Sequence, residues 1–149
     1  MVATGIGPTG FTDRVQVIDL YNSKSTCSDL SSYPFELAYA TGGLINGSPL
    51  ICGGIPTESL RFETLSSCYL YDRQNSTWQP FAEMSSPRNL ARSSAFGDSL
   101  WVNGGYYFKP LNSTDLISQN RSVTKGMLIT KILVPQPKFI FWKFQSCSF

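Results

Sequence analysis

The side chains best equipped for chemistry in this chain are four cysteines, at positions 27, 52, 68 and 147, and two arginines, Arg88 and Arg92. A thiol can ligate a metal, act as a nucleophile or close a disulfide. Cys52 ends one apolar run and Cys68 stands at the start of the next. The two runs should pair as antiparallel strands, whose facing Cβ atoms approach to about 4 to 5 Å, near disulfide range. Four cysteines admit more than one pairing. Cys52 with Cys68 is the preferred one and Cys27 with Cys52 the second; buried free thiols in a cytosolic protein are the alternative. No CxxC spacing supports a structural zinc site. Arg88 and Arg92 flank the lead-in to a strand, and the planar guanidinium fork suits recognition of a partner's carboxylate. They are the candidate binding residues.

The remaining inventory argues against catalysis. Histidine is absent, which removes imidazole bases, His-dependent triads and most zinc or copper sites together. Asp72, Glu83 and Asp98 are scattered among turn-forming residues and read as solvated. GGYYFKP at 104–110 lacks the Gly-Lys-Ser/Thr of a phosphate loop, and TGIGPTG at 4–10 precedes no helix. We therefore expect no catalytic centre, cofactor or metal.

Charge and hydropathy divide the chain. Residues 1–120 hold seven Lys/Arg against ten Asp/Glu, while residues 121–149 hold five against none, which gives the net +2. Five dispersed charges make no nucleic-acid footprint. The run LITKILVPQPKFIFWKF is interrupted by Lys131, Pro135, Pro137, Lys138 and Lys143, well short of the roughly 20 apolar residues of a membrane span. MVATGIGPTG has neither the basic start nor the apolar core of a signal peptide. Asn46, Asn75, Asn112 and Asn120 open Asn-x-Ser/Thr triplets. Pro49 handicaps the first; Asn75 and Asn112, in turns, are the glycosylation candidates. With the cysteines they favour a secreted or extracellular protein over a cytoplasmic one.

These residues must be positioned by strands. LICGG at 50–54 returns as WVNGG at 101–105, and the same 51-residue shift superposes Ser48 on Ser99 and Ala40 on Ala91. It also carries Thr26 and Cys27 onto Thr77 and Trp78. Upstream, Thr4 and Gly5 stand where a decayed double glycine is expected; downstream, STDLIS at 113–118 should be a strand. Within one copy, SCYLYD, STWQPF, SSAFG and SLWVN are short β-branched or aromatic runs separated by RQN, GDS and a glycine-containing loop. Helical spacing is nearly absent from a chain with 12 glycines and 9 prolines. Four-stranded units at this period predict the blades of a β-propeller.

The second copy reads Gly53-Gly54, then Tyr71 and Trp78 separated by six residues, then Met84 to Arg88, then an apolar run and Gly104-Gly105. That series resembles the kelch repeat. The resemblance covers residues 1–118, with 53–104 matching best, and leaves 119–149 as a divergent basic and apolar tail. The first copy departs from it, with Leu20 in place of the Tyr and Cys27 in place of the Trp. The expected fold is all-β, a fragment of about two to three four-stranded kelch blades. The first glycine should turn with positive φ and the second should let a neighbouring blade's side chain approach. Tyr71 and Trp78 should pack across the sheet as core.

The resemblance implies a non-catalytic module that holds a partner protein on its face loops, here 55–67 and 106–112. The propeller enzymes that oxidise alcohols with copper resemble kelch proteins in fold but need histidine ligands that this chain lacks. The alternative is an intracellular kelch adaptor presenting substrates to a cullin-type ubiquitin ligase. Family propellers close with more blades than this chain supplies, so we expect completion by the rest of a longer chain or by self-association.

Overall fold

The computed structural model describes residues 1–17, 28–57 and 63–127; the alternative pairing through Cys27, the substitution at Leu20 and residues 128–149 of the tail lie outside them. Every regular element described is a strand. A first antiparallel sheet is formed by β1 (Val2–Gly7), β2 (Gly10–Val17) and β3 (Ser28–Leu30). After the short β4 (Leu37–Ala38), a second sheet contains β5 (Thr41–Ile45), β6 (Ser48–Cys52), β8 (Ser67–Asp72) and β9 (Thr77–Glu83) in that order. Within it, β7 (Ile55–Pro56) leaves to pair with β4. A third sheet contains β10 (Arg92–Phe96), β11 (Ser99–Asn103), β14 (Ser113–Ser118) and β15 (Val123–Met127). Its insertion is the small ribbon of β12 (Tyr106–Tyr107) and β13 (Lys109–Pro110).

The 51-residue shift seen in sequence is a shift of structure. It carries β5 onto β10 and β6 onto β11 residue for residue. It carries the pair Ala38–Ile55 onto the bridge Asn89–Tyr106. Local chemistry explains the turns: Asn46 and Gly47, with φ of 49° and 73°, make the Asn-Gly reversal that joins twisted strands. Gly97, at φ 56°, opens the matching reversal between Phe96 and Ser99. The third unit then tightens. β14 begins 46 residues after β8, and β15 continues the repeat region beyond the expected limit at 118.

Two apolar layers hold the sheets together. Val15, Tyr33, Leu37, Ile51, Tyr71 and Trp78 fill one between the first and second sheets. Tyr71 and Trp78 face each other in register, ring centroids 5.2 Å apart, and the indole N–H donates to the Ser31 carbonyl at 3.0 Å. Ile45, Leu50, Cys52, Cys68, Leu100, Val102 and Ile117 belong to the other, between the second and third sheets. Each such aliphatic side chain contributes about 1.5–3 kcal/mol on burial. Small residues let the sheets close: a Cβ on Gly43 would lie 2.6 Å from Leu100 Cδ1. Beside it, Thr41 donates to the Ser93 hydroxyl at 2.8 Å, and Ser93 donates to the Gly42 carbonyl.

The double glycines work differently from the expectation. Both members turn with positive φ, 65° and 95° at Gly53 and Gly54, 61° and 92° at Gly104 and Gly105. The next sheet's approach is made at Gly53, not Gly54, and by backbone rather than a side chain: a Cβ there would sit 2.2 Å from the Arg88 carbonyl oxygen. Gly54 and Gly105 instead accommodate the lead-in to their own sheet, at Ala38 and Asn89.

Candidate functional site

Arg88 lies where β9 hands over to β10, after Pro87, and the fold draws it inward. Its guanidinium Nη2 is 2.7 Å from Asp115 Oδ2, with both side chains fully buried. Nη1 donates to the carbonyls of Gly104 at 2.7 Å and Ser113 at 3.1 Å, and Nη2 to the Ser113 hydroxyl at 3.2 Å. Its own carbonyl accepts the Gly54 N–H at 3.0 Å. One residue thus ties the double glycine of the second sheet to that of the third. The expectation that Arg88 meets a partner is corrected by this burial: the carboxylate that its planar fork recognises is Asp115 of the same chain.

Asp115 was missed from sequence. The available signal was a carboxylate inside a strand that also carries Leu116 and Ile117, since an ionised group there requires a buried cation. Arg92, by contrast, is exposed at the start of β10, opposite Asn103.

The double-glycine ends of the second and third sheets form a continuous rim. Leu90 N–H donates to the Tyr39 carbonyl at 3.0 Å, joining equivalent positions of the two units. Asn89 and Tyr106 exchange backbone bonds of 3.1 and 2.8 Å, and the Tyr106 hydroxyl donates to the Phe108 carbonyl at 2.9 Å. Phe108, 82% exposed at the tip of the ribbon, has its ring 4.5 Å from that of Tyr107. Tyr39, Leu90 and Tyr106 are exposed as well. Tyr39, Leu90 and Phe108 hold φ of 58°, 53° and 55°, a left-handed conformation that costs a residue with a Cβ on the order of 1–3 kcal/mol. Such strain persists where surrounding structure enforces it, and here it turns large apolar side chains outward.

Of the loops expected to make contacts, 106–112 forms this ribbon, while 58–62 of the other lies outside the described residues. Cys52 and Cys68 are opposite in register and joined by a disulfide, Cα atoms 4.1 Å apart. Asn75 and Asn112 are exposed. The Asn75 amide donates to Asp72 Oδ2 at 2.7 Å; with the Gln74 N–H, that bond holds the Asp72 carboxyl below its usual range. A groove of about 350 Å³ between β1 and β5 is lined by Ala3, Thr4, Thr41, Gly42, Gly43 and Leu44 among others, with no ionisable side chain. Among the described residues, no group of three His, Cys, Asp or Glu could hold a metal ion, and no helix is long and apolar enough to cross a membrane.

The geometry defines an all-β chain of successive antiparallel sheets, repeated at 51 residues and joined through a buried arginine. No family model and no curated protein matches it. Among solved structures, one described as "Structure of YjhT" is similar, with a TM-score of 0.67 at 21% identity over 83% of this chain. At that identity the likeness is one of fold. This chain spans 41% of the length of that structure.

Proposed function

We propose that this chain is a kelch-type β-propeller segment that binds a partner protein on its double-glycine rim and catalyses no reaction. The observation that carries the reading is the exposure of Tyr39, Leu90, Tyr106 and Phe108 on backbone tied together by the Leu90–Tyr39 and Asn89–Tyr106 hydrogen bonds. Rigid aromatic and aliphatic side chains at low entropic cost are what protein interfaces use as anchors. Arg92, two residues after Leu90, supplies a rim charge for a partner carboxylate. The register of the Gly-Gly, Tyr71, Trp78 and Arg88 positions supports the kelch assignment. The Cys52–Cys68 disulfide favours an oxidising compartment, hence a secreted or cell-surface module over the ubiquitin-ligase adaptor.

The test compares the unaltered chain with a Phe108→Ser/Leu90→Ser variant as bait against an extracellular protein fraction, with quantitative mass spectrometry of what is retained. Anchors of this kind carry about 2 kcal/mol or more each, so specific partners should be lost while the unfolding midpoint is unchanged. Equal retention of the same proteins by both baits would remove the rim as the binding site. Non-reducing peptide mapping, which should recover the Cys52–Cys68 crosslink and glycans on Asn75 or Asn112, checks the compartment separately.

A further inference from the structure

Two of the Asn-x-Ser/Thr triplets fall at equivalent places of consecutive sheets. Gln74-Asn75-Ser76-Thr77 turns the chain from β8 into β9, and Gln119-Asn120-Arg121-Ser122 turns it from β14 into β15. In both, the residue after the asparagine is left-handed, with φ of 53° at Ser76 and 66° at Arg121. β8 and β14 each start beside a double glycine, where Gly53 N–H donates to the Ser67 carbonyl and Gly104 N–H to that of Ser113. The two turns therefore lie at the end of their sheets opposite the rim.

The asparagines differ in what holds them. Asp72, the last residue of β8, takes the Asn75 amide at 2.7 Å. Ser118 is the corresponding last residue of β14, and among the described residues Asn120 Nδ2 has no hydrogen-bond partner. Asn120 Oδ1 accepts from the N–H and the hydroxyl of Ser122, at 3.0 and 2.6 Å, so the amide and the hydroxyl that define the triplet stand together on exposed residues. The intervening Arg121 is engaged with the Phe81 ring, 5.7 Å from its centroid. The remaining triplets lack this arrangement. Asn112 is exposed, but Ser113 and Thr114 after it are buried in β14, and the Thr114 hydroxyl is spent on Asn103. Ser48, which completes the Asn46 triplet, opens β6 directly before Pro49. Beside Asn120 lies an open hollow of about 440 Å³ lined by Asp98, Ser99, Ser118, Gln119 and Asn120 itself. Hydroxyl, carboxylate and carboxamide groups are the donors and acceptors that pair with the hydroxyls of a sugar.

We propose that Asn120 is the principal attachment site for an N-linked oligosaccharide. The inference rests on the secreted or cell-surface reading above and adds a site to it. In the transfer, Asn120 Nδ2 attacks C1 of the first sugar of a lipid-diphosphate-linked oligosaccharide. The Nδ2–C1 bond forms and the bond from C1 to the diphosphate oxygen breaks. The lipid diphosphate leaves with the electron pair, and Nδ2 gives one of its two protons to a base of the transferase. A glycan is bulky and hydrophilic and belongs on an exposed turn. At this end of the sheets it leaves Tyr39, Leu90, Tyr106 and Phe108 open to a partner.

The test produces the full chain behind a cleavable secretory leader, so that access to the transferase is imposed. Occupancy of each asparagine is then read by enzymatic glycan release in heavy-oxygen water and peptide mass spectrometry. Asn120 should be occupied in most molecules, several-fold more than Asn75 or Asn112. Asn120→Gln and Ser122→Ala should each remove that glycan, Ser122→Thr should keep it, and every one of these chains should retain the Cys52–Cys68 crosslink. Greater occupancy of Asn75 or Asn112 than of Asn120, or a chain that emerges without a glycan, overturns the proposal. The rim reading fails separately, because it is decided by retention of partners, which Asn120→Gln should leave unchanged.

Discussion

Asn103 and Thr114 face each other at the rung of the third sheet that corresponds to Cys52 and Cys68 in the second, and a 2.9 Å hydrogen bond from Thr114 Oγ1 to Asn103 Oδ1 replaces the disulfide. Both links fasten the strand that precedes a double glycine to the next strand of its sheet. They differ in strength. A hydrogen bond contributes about 0.5–1.5 kcal/mol net, whereas a crosslink between residues 16 apart restricts the unfolded chain by about 3 kcal/mol.

The first prediction follows from that contrast. A Cys52→Ala/Cys68→Ala variant should lose about 2–4 kcal/mol in urea unfolding, and Thr114→Val about 1 kcal/mol. Reducing agent should lower the midpoint of the unaltered chain and leave that of the double variant where it is. A midpoint indifferent to reductant would mean that the crosslink does not stabilise the fold.

The buried pair gives the second. Removing one partner leaves an uncompensated charge, so Arg88→Met should cost about 3–5 kcal/mol. The reciprocal Asp115→Leu should be similarly harmful. Because the two side chains are fully buried against each other, the combined variant should cost clearly less than the sum of the single ones. Additive losses in a double-mutant cycle would show that the ion pair is not what the two residues share.

Much of this arrangement was legible beforehand, and the failures have a common cause. The positive φ at the double glycines, the Tyr71–Trp78 pair and the Cys52–Cys68 rung are all features within one unit, where spacing along the chain fixes spacing across a sheet. Arg88 reads as surface in the sequence because its partner lies 27 residues downstream, on β14 rather than on the strand that Arg88 leads into, and a lone arginine looks solvated unless that partner is known. β15 was cut off because the third unit is shorter, which puts Val123–Met127 out of phase with the repeat. The rim was only partly anticipated: 106–112 was expected from its length, but Tyr39 and Leu90 are exposed by left-handed backbone that no residue type announces.

Ionisation of Tyr33 supplies the third prediction. The ring is almost fully buried among Phe35, Tyr69 and Trp78. Burial foremost, and then repulsion from Tyr69, pushes the Tyr33 phenol well above its ordinary value of 10.0. A pKa raised by folding means that the folded state holds the proton more tightly. Its contribution is therefore complete below about pH 10, where the unfolded phenol titrates, and is lost as pH climbs toward the folded value. Absorbance titration should show one tyrosine ionising late, together with unfolding. Tyr33→Phe should abolish that late step and flatten the alkaline decline in stability; an unchanged alkaline limb would assign it to other groups.

Asp72 predicts the opposite limb. Its carboxyl is held low by the Asn75 amide and the Gln74 N–H, so its contribution exists above the unfolded value near pH 3.9 and fades as pH falls toward the folded one. The group is exposed, and the effect should be small. Asp72→Asn should shift the acid unfolding midpoint slightly and leave stability at neutral pH almost unchanged. A large loss at neutral pH would mean that the turn depends on more than this carboxylate.

The strongest demand on the fold is made at Gly53, and a comparison of two glycines isolates it. Gly97 and Gly53 have similar left-handed φ, 56° and 65°, so replacing either by Ala incurs the same intrinsic strain of roughly 1–2 kcal/mol. Around Gly97 a new Cβ meets nothing within 4 Å, whereas at Gly53 it would lie 2.2 Å from the Arg88 carbonyl oxygen and 3.0 Å from Met84 Cε. The methionine end can swing aside; the carbonyl cannot, because it receives the Gly54 N–H while its own side chain is pinned to Asp115. Gly53→Ala should therefore lose about 1–3 kcal/mol more than Gly97→Ala, the usual cost of overpacking. The excess should largely disappear in an Arg88→Met background, where the carbonyl is free to move. If the two glycine variants unfold at the same denaturant concentration, the close approach of the third sheet's lead-in to the second sheet's first glycine is not what fixes that position.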